Sequence, residues 1–299
     1  WEALKFEAPH RFESYLLYME KKRSPKKRFY QPRAKTLKVV VDDLQDLEDG
    51  VIEFYGLSLP PRGGKSTVCI FFLSWVAGRH PDLHNAMGGH SGILAKGFYK
   101  EFLNLVTSAE YTYNEIFPDV FIESKSADEF TVNLNSPDRF ATLTCRGIDG
   151  TWTGAVDISA GGYLYVDDLI RDRTESLSPI RLENRYQDYL NIMVDRKNDG
   201  AKELMVGTRW NVMDPLGRNL HQTKKMNPIL IMIMVLVFLH SIIKTFVNVW
   251  IKTSGWQNIS KDRLSVKGFF FQKMSLTFIM EFCQTVNALQ LQPVTLHGA

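Results

Sequence analysis

The stretch VIEFYGLSLPPRGGKSTVCIFFLSWVAG, residues 51–78, predicts the fold of the protein. Residues 51–59 are typical of a buried strand, and residues 68–78 have the length and apolar density of a buried helix that ends at Gly78. Between them lies PPRGGKST, a turn rich in proline and glycine. A strand, a glycine-containing turn and a helix in this order begin an α/β unit.

The same alternation continues along the chain. Ser91 and Pro179 favour the first turn of a helix and mark the start of two predicted helices. Strands separated by helices predict a mostly parallel sheet that is covered by helices on both faces. The predicted helices span residues 11–22, 36–45, 91–108 and 178–195, and the predicted strands span residues 84–88, 129–133, 140–145, 163–166 and 202–206.

Composition excludes several classes of protein. A chain of 299 residues with 44% apolar and 23% charged residues is not a disordered tail protein. Its three cysteines lie far apart, which predicts neither a disulfide framework nor a zinc knuckle. The net charge of +3 does not by itself indicate a nucleic-acid-binding protein, because such binding needs basic residues gathered on one face.

The glycine turn matches the last part of the phosphate-binding pattern G-x-x-x-x-G-K-S/T. In such loops backbone N–H groups surround the phosphates, the lysine reaches the β and γ oxygens, and the hydroxyl ligates magnesium. The first glycine of the strict pattern is absent, since Leu59 stands at that position. A chance sequence in a surface turn is the alternative, but the flanking strand and helix favour a phosphate loop. The expected nucleotide-binding residues are Gly63, Gly64, Lys65, Ser66 and Thr67.

Two carboxylates, Asp167 and Asp168, follow the apolar segment YLYV at residues 163–166. Ligands of open α/β sheets bind at the carboxyl ends of the strands. We expect Asp167 to hold Mg²⁺ together with Ser66, and Asp168 to orient or deprotonate an attacking water. An ordinary turn is the alternative for such a pair. A phosphate loop and this pair together predict a P-loop NTPase (RecA/ASCE-like) fold.

Basic residues near these motifs allow two interpretations. Arg62 adjoins the glycines and is expected to neutralise charge that develops on the γ-phosphate, although a solvent-exposed loop arginine is the alternative. Residues 21–28 contain six Lys or Arg residues. They form either a solvated linker interrupted by Pro25 or a contact to a phosphate backbone.

Four strings carry a resemblance: LSLPPRGGKS, CRGIDGTWTGA, YLYVDDLI and VGTRWNVMDPLGR. Together they resemble the ATPase motor of the large terminase subunit of tailed double-stranded DNA bacteriophages. The resemblance covers residues 28–220, and its motifs are specific in combination. That family commonly has P-P-R where strict phosphate loops begin with glycine, so Leu59 fits the family.

The resemblance implies a function and its partners. It implies ATP and Mg²⁺ as cofactors, and hydrolysis that drives double-stranded DNA into the prohead. It further implies a portal protein ring, a small terminase subunit, a homo-oligomer on the portal, and the cytoplasm of the bacterial host as the location. Among residues, it implies that Gln31 and Arg33 lie on the adenine side and that Thr208 couples hydrolysis to domain motion. Asp168 stands where many such motors carry glutamate, and D-D is a familiar variant.

Two other functions stay open at this point. Another P-loop DNA translocase, such as a helicase-like ATPase, would use the same phosphate loop, although a second motor lobe is not recognisable. An inactive prophage-derived fragment would bind nucleotide weakly or not at all. Turnover of ATP separates the motor from the inactive fragment.

The C-terminal part does not fit the resemblance. We expect an N-terminal helix and basic linker at residues 1–35, the motor domain at 36–225 and an aberrant tail at 226–299. The terminase family carries a C-terminal nuclease, which needs several carboxylates around two metal ions. The tail offers only Asp262 and Glu281, so nuclease activity is not expected.

Three origins of the tail are open: a different domain, a membrane anchor and a shifted reading frame. The apolar run at 229–239 is eleven residues long, whereas a bilayer span needs about 20, so no membrane is expected. A slip near residues 221–225 permits acidic strings, including DEKNESNIDYDYGVGFS over residues 223–239, that resemble the terminase linker. On this hypothesis the tail packs poorly or stays exposed, and the nucleotide sequence tests it.

Overall fold

The computed structural model describes residues 1–135 and 138–222. The expectation of an aberrant tail at 226–299 lies outside the described residues, and so does the predicted end of the motor domain at residue 225. Within the two described ranges, no helix combines the length and the apolar character that a membrane span requires.

The described residues form an α/β fold of nine α-helices and seven strands. The helices are α1 (Glu2–Glu7), α2 (Phe12–Met19), α3 (Ala34–Glu48), α4 (Lys65–Arg79), α5 (Gly92–Thr107), α6 (Tyr113–Ile116), α7 (Arg173–Ser176), α8 (Pro179–Asp188) and α9 (Pro215–Gln222). The strands are β1 (Phe54–Leu57), β2 (Asn85–Gly89), β3 (Ile122–Ser126), β4 (Thr131–Leu134), β5 (Leu143–Gly147), β6 (Tyr163–Asp167) and β7 (Lys202–Val206).

All seven strands belong to one sheet, in the order β1-β7-β6-β2-β5-β4-β3. The five strands from β1 to β5 in this order are parallel to one another, which confirms the predicted mostly parallel sheet. The hairpin of β3 and β4 at the other edge breaks the parallel arrangement, because β4 is antiparallel to both β3 and β5. The connection from β4 to β5 is too short for a parallel crossover, which needs about a dozen residues or more.

The register of the parallel strands aligns their carboxyl ends. Leu57 lies opposite Val206, and Val206 lies opposite Asp167. Asp167 lies in turn opposite Gly89, which is paired with Gly147. The residues that follow these five positions therefore meet at one edge of the sheet, where ligands of such sheets bind.

Helices cover both faces of the sheet, as predicted. Tyr163 and Tyr165 point to a core that also contains α2, α3, α4 and α5. Leu164 and Val166 alternate with them and join a second core with residues of α8 and α9. The predicted buried helix at 68–78 lies within α4, which begins three residues earlier, at Lys65.

The remaining differences concern short or polar elements. The sequence did not predict α1, α6, α7, α9 or β3, because none of these segments is longer than eight residues, which is too short for a hydrophobic period to identify them. Strand β3 (Ile122–Ser126) has no buried residue and lies at the edge of the sheet. The predicted single helix at 178–195 is α8 followed by a π turn, Tyr189–Met193, and a 3₁₀ turn, Val194–Arg196.

Acidic side chains hold the basic stretch at residues 21–28. The Lys22 ammonium lies 2.7 Å from a carboxylate oxygen of Glu115, and Arg23 lies 3.1 Å from Glu20. The backbone N–H of Phe29 also donates to both carboxylate oxygens of Glu20, at 2.7 and 2.8 Å. These contacts favour a structural role for the stretch over contact with a phosphate backbone.

A buried carboxylate, Glu48, joins α3 to the sheet. It lies 2.7 Å from Arg79 and 3.6 Å from Lys202. It also accepts a hydrogen bond of 2.5 Å from the Tyr163 hydroxyl and lies 3.2 Å from His80. Burial alone would raise the pKa of Glu48, but the hydrogen bonds from His80 and Tyr163 and the nearby positive charges lower it below its ordinary value.

We expect Glu48→Gln to lower the free energy of unfolding by about 3 kcal/mol at neutral pH, because it leaves two partly buried cations, Arg79 and Lys202, without their buried anion. Since the folded-state pKa of Glu48 is lowered, its contribution is complete above the ordinary value of 4.5 and is lost as the pH falls through the folded-state pKa. Denaturant unfolding of wild type and Glu48→Gln over a range of pH measures the difference between their free energies of unfolding.

Glu183→Gln is the control, because the pair of Glu183 with Arg218 is half exposed and should contribute less than about 1 kcal/mol. A stability difference between wild type and Glu48→Gln that does not shrink on acidification would contradict the assignment.

Candidate functional site

The loop between β1 and α4 contains two left-handed residues, Arg62 with φ 67° and Gly64 with φ 89°. A side chain at Gly64 would also collide with Phe29, since an added Cβ would lie 2.8 Å from its ring. Glycine is therefore required at position 64 by both backbone angle and space. Gly64 caps the 15-residue helix α4, whose free N–H groups and partial positive charge attract anions.

Lys65, in the first turn of α4, meets the ends of β6 and β7. Its ammonium lies 2.8 Å from Oδ1 of Asp168 and 2.7 Å from the Thr208 hydroxyl. The backbone N–H of Thr208 donates a hydrogen bond of 2.8 Å to the same oxygen of Asp168. Three residues that the sequence analysis singled out separately thus form one connected cluster.

Asp167 is buried beside this cluster. Burial and the charge of Asp168 raise the pKa of Asp167 to about 6, although the hydrogen bond from Tyr165, the nearby Ser66 hydroxyl and the charge of Lys65 act in the opposite direction. Its Oδ2 accepts a hydrogen bond of 2.8 Å from the Tyr165 hydroxyl. Its Oδ1 is buried and has no hydrogen-bond partner in the part of the chain that the structure describes.

The unpartnered oxygen of Asp167 fits a hard cation. A buried carboxylate oxygen without a partner is rare in folded proteins. Magnesium takes oxygen ligands and often uses only one or two protein carboxylates, with phosphate and water completing its shell. Among the described residues, no three His, Cys, Asp or Glu side chains cluster as a metal site. The Ser66 hydroxyl, which lies close to the Asp167 carboxyl, offers a second oxygen that could hold the cation.

Asp168 is held in a strained conformation by its neighbours. Its φ of 42° lies in the left-handed region, which is unfavourable for a residue other than glycine. Its backbone N–H donates a hydrogen bond of 2.9 Å to the carbonyl of Val206, and its own carbonyl lies 2.8 Å from Nδ1 of His90. Sequence reasoning missed His90, and its position two residues after the predicted strand at 84–88 was the available signal.

The two residues expected on the adenine side, Gln31 and Arg33, lie in different settings. Arg33 stacks on the ring of Phe29, which abuts Gly64, and donates a hydrogen bond of 2.9 Å to the Phe29 carbonyl. Gln31 instead accepts a hydrogen bond of 2.7 Å from Arg28 on the exposed surface. The structure therefore brings the Arg33 segment to the glycine loop and does not bring the Gln31 side chain there.

Arg62 extends from the loop into solvent. A polar cleft of about 360 Å³ opens beside His90. Its lining includes Arg171, Arg185 and Glu175. Lys65, Asp167 and Asp168 do not line this cleft, whereas Asp168 and Thr208 line a small cavity of about 20 Å³.

The groups at this edge define what chemistry the site can perform. The N-terminus of α4 and the Lys65 ammonium are suited to binding an anion, Asp167 suits a divalent cation, and Asp168 is a partly exposed carboxylate that can accept a proton. No family model and no curated protein matches this chain. The arrangement suits transfer of a phosphoryl group to water.

Proposed function

We propose that this chain is the ATPase motor subunit of a phage terminase, which uses Mg-ATP hydrolysis to move double-stranded DNA into the prohead. The contact of 2.8 Å between Lys65 and Asp168 carries the proposal, because it places the glycine loop and the carboxylate pair at one site. The sheet supports a P-loop NTPase of the RecA/ASCE-like class, since β7 alone separates the loop strand β1 from the carboxylate strand β6.

In this proposal the triphosphate binds at the N-terminus of α4. The backbone N–H groups of Gly63 to Thr67 and the Lys65 ammonium bind its β and γ oxygens. In the structure Lys65 is paired with Asp168 instead. Binding of the triphosphate therefore draws the ammonium away from Asp168 and frees that carboxylate.

Asp168 then acts on the attacking water. The water oxygen forms a bond to the γ-phosphorus, the bond to the bridging oxygen of ADP breaks, and Asp168 accepts the proton of the water. Arg62, in the exposed loop, stabilises the charge that develops on the γ-phosphate. When bound, Mg²⁺ held by Asp167 and Ser66 supplies further charge neutralisation on the phosphate oxygens.

Thr208 is placed to couple the site to the rest of the domain. It contacts both Lys65 and Asp168, so it responds to movement of either group. The loop that follows is anchored by Asp214, which accepts hydrogen bonds from Arg209 at 3.0 Å and from the backbone of Gly217, in α9, at 2.7 Å. A displacement of Thr208 is thereby passed to α9.

We expect Asp168→Asn to lower the turnover number for ATP about a hundredfold, because the amide cannot accept the proton. Nucleotide affinity should stay the same or rise slightly, since the competing partner of Lys65 is weakened. Steady-state turnover and equilibrium binding of a non-hydrolysable ATP analogue measure the two effects. A loss of nucleotide affinity as large as the loss in turnover would show that Asp168 binds the nucleotide and would contradict its role as the proton acceptor.

DNA dependence tests the motor assignment itself. We expect linear double-stranded DNA to stimulate ATP turnover by the full chain. In the proposed function the chain acts in the host cytoplasm with a portal ring, a small terminase subunit and further copies of itself. Stimulation by single-stranded DNA alone would favour a helicase-like translocase. Absence of turnover under all conditions would identify an inactive fragment.

A further inference from the structure

Tyr165 lies in the middle of β6, two residues before Asp167, and is completely buried. Residues two apart on a strand lie on the same face, so the tyrosine and carboxylate side chains lie side by side. The Tyr165 hydroxyl donates a hydrogen bond of 2.8 Å to Oδ2 of Asp167. Its ring packs on Phe98, with 5.0 Å between ring centroids, which fixes the position of the hydroxyl.

This hydrogen bond gives the two carboxylate oxygens of Asp167 different surroundings. Oδ2 is engaged by Tyr165, whereas Oδ1 has no hydrogen-bond partner among the residues that the structure describes. A freely rotating carboxylate would not keep one chosen oxygen free.

We propose that Tyr165 is a positioning residue that orients the Asp167 carboxylate, so that Oδ1 is presented as the magnesium ligand. This inference rests on the proposed function, since it concerns the metal of the same site. Groups that hold metal ligands by hydrogen bonds commonly change metal affinity by about 10-fold to 100-fold when removed. Tyr165 touches neither the nucleotide nor the metal, and it acts only through Asp167.

Tyr165→Phe removes the hydroxyl and keeps the ring. We expect the apparent affinity for Mg²⁺ in the presence of a non-hydrolysable ATP analogue to fall about 10-fold, while the affinity for the metal-free analogue stays unchanged. Turnover measured at saturating Mg²⁺ should recover most of the wild-type value. Binding of Mn²⁺ followed by electron paramagnetic resonance reports the metal affinity without any hydrolysis.

Tyr163→Phe is the matched control. Tyr163 is also buried on β6 and donates its hydroxyl to a carboxylate, but that carboxylate is Glu48, away from the site. We expect Tyr163→Phe to lower stability without changing metal affinity. An equal loss of Mn²⁺ affinity in both variants would reveal a general effect of weakening the strand and would overturn the proposal.

A third variant keeps the test sharp if Tyr165→Phe does not fold. 4-Aminophenylalanine placed at position 165 retains a weaker donor, so we expect its Mn²⁺ affinity to lie below that of wild type. If Tyr165→Phe folds, the affinity of the 4-aminophenylalanine variant should lie between those of wild type and Tyr165→Phe. Wild-type protein that binds Mg-ATP while changes at position 165 leave metal affinity unaltered would overturn this inference and leave the proposed function intact. Wild-type protein that does not bind Mg-ATP would overturn both.

Discussion

Replacing Lys65 by alanine is expected to lower Mg-ATP turnover by the full chain about a thousandfold or more. The substitution removes the only side-chain cation that contacts Asp168 among the described residues. In the proposed function it also removes the group that binds the β and γ oxygens of the triphosphate. Affinity for ATP should fall as well, because Lys65 contacts the ground state and the transition state alike. Steady-state turnover and equilibrium binding give both quantities.

Lys100→Ala is the control for Lys65→Ala, because Lys100 is an exposed lysine on α5. It should retain wild-type turnover. Thermal unfolding of all three proteins distinguishes loss of the site from loss of the fold. Turnover by Lys65→Ala equal to that of wild type would end the proposal that this chain hydrolyses ATP at the glycine loop.

Replacing Asp167 by asparagine is expected to abolish turnover and, at the same time, to stabilise the magnesium-free protein. Turnover should fall about a thousandfold or more, because a neutral amide is a poor ligand for Mg²⁺ and leaves the phosphate charge uncompensated. The fold should persist, since the amide oxygen can still accept the Tyr165 hydrogen bond.

The gain in stability follows from the pKa of Asp167. Folding raises it from 3.8 to about 6, so the ionised carboxylate opposes folding at pH 7. The difference in pKa corresponds to about 3 kcal/mol, and Asp167→Asn should raise the free energy of unfolding by about this amount at pH 7. This gain in stability should vanish as the pH falls below the pKa of Asp167 in the unfolded state, because the carboxyl is then protonated in both states.

Denaturant unfolding with a chelator, compared at neutral and acid pH, measures this gain. Loss of activity together with loss of stability at neutral pH would show that Asp167 has a structural role in the core. Asp128→Asn is the control, because Asp128 is exposed and distant in sequence from the site, and it should change neither quantity.

The sequence allowed the central part of the fold to be predicted for definite physical reasons. Apolar residues on both sides of PPRGGKST indicated a strand and a buried helix, and the rule that ligands bind at the carboxyl ends of parallel strands placed Asp168 near Lys65. The hairpin of β3 and β4 was beyond such reasoning, because β3 is exposed and has no hydrophobic period. Short connections there impose antiparallel pairing.

The site was predictable in its charged groups and not in its supporting contacts. Lys65 and Asp168 belong to motifs, whereas Tyr165 is one apolar residue of a buried strand when only its sequence is considered. Its hydrogen bond to Asp167 depends on the face of the sheet that both share. The double contact of Thr208 likewise depends on β7 lying between β1 and β6, which requires the strand order.

The central claim is that the glycine loop and the carboxylate pair bind one triphosphate, and equilibrium binding tests it most directly. A non-hydrolysable ATP analogue is titrated, with Mg²⁺ or with a chelator, into wild type, Lys65→Ala and Asp167→Asn. We expect one nucleotide per wild-type chain with an affinity that Mg²⁺ increases, a weaker affinity in both conditions for Lys65→Ala, and loss of the Mg²⁺ effect alone for Asp167→Asn. An affinity that neither substitution changes would contradict the claim.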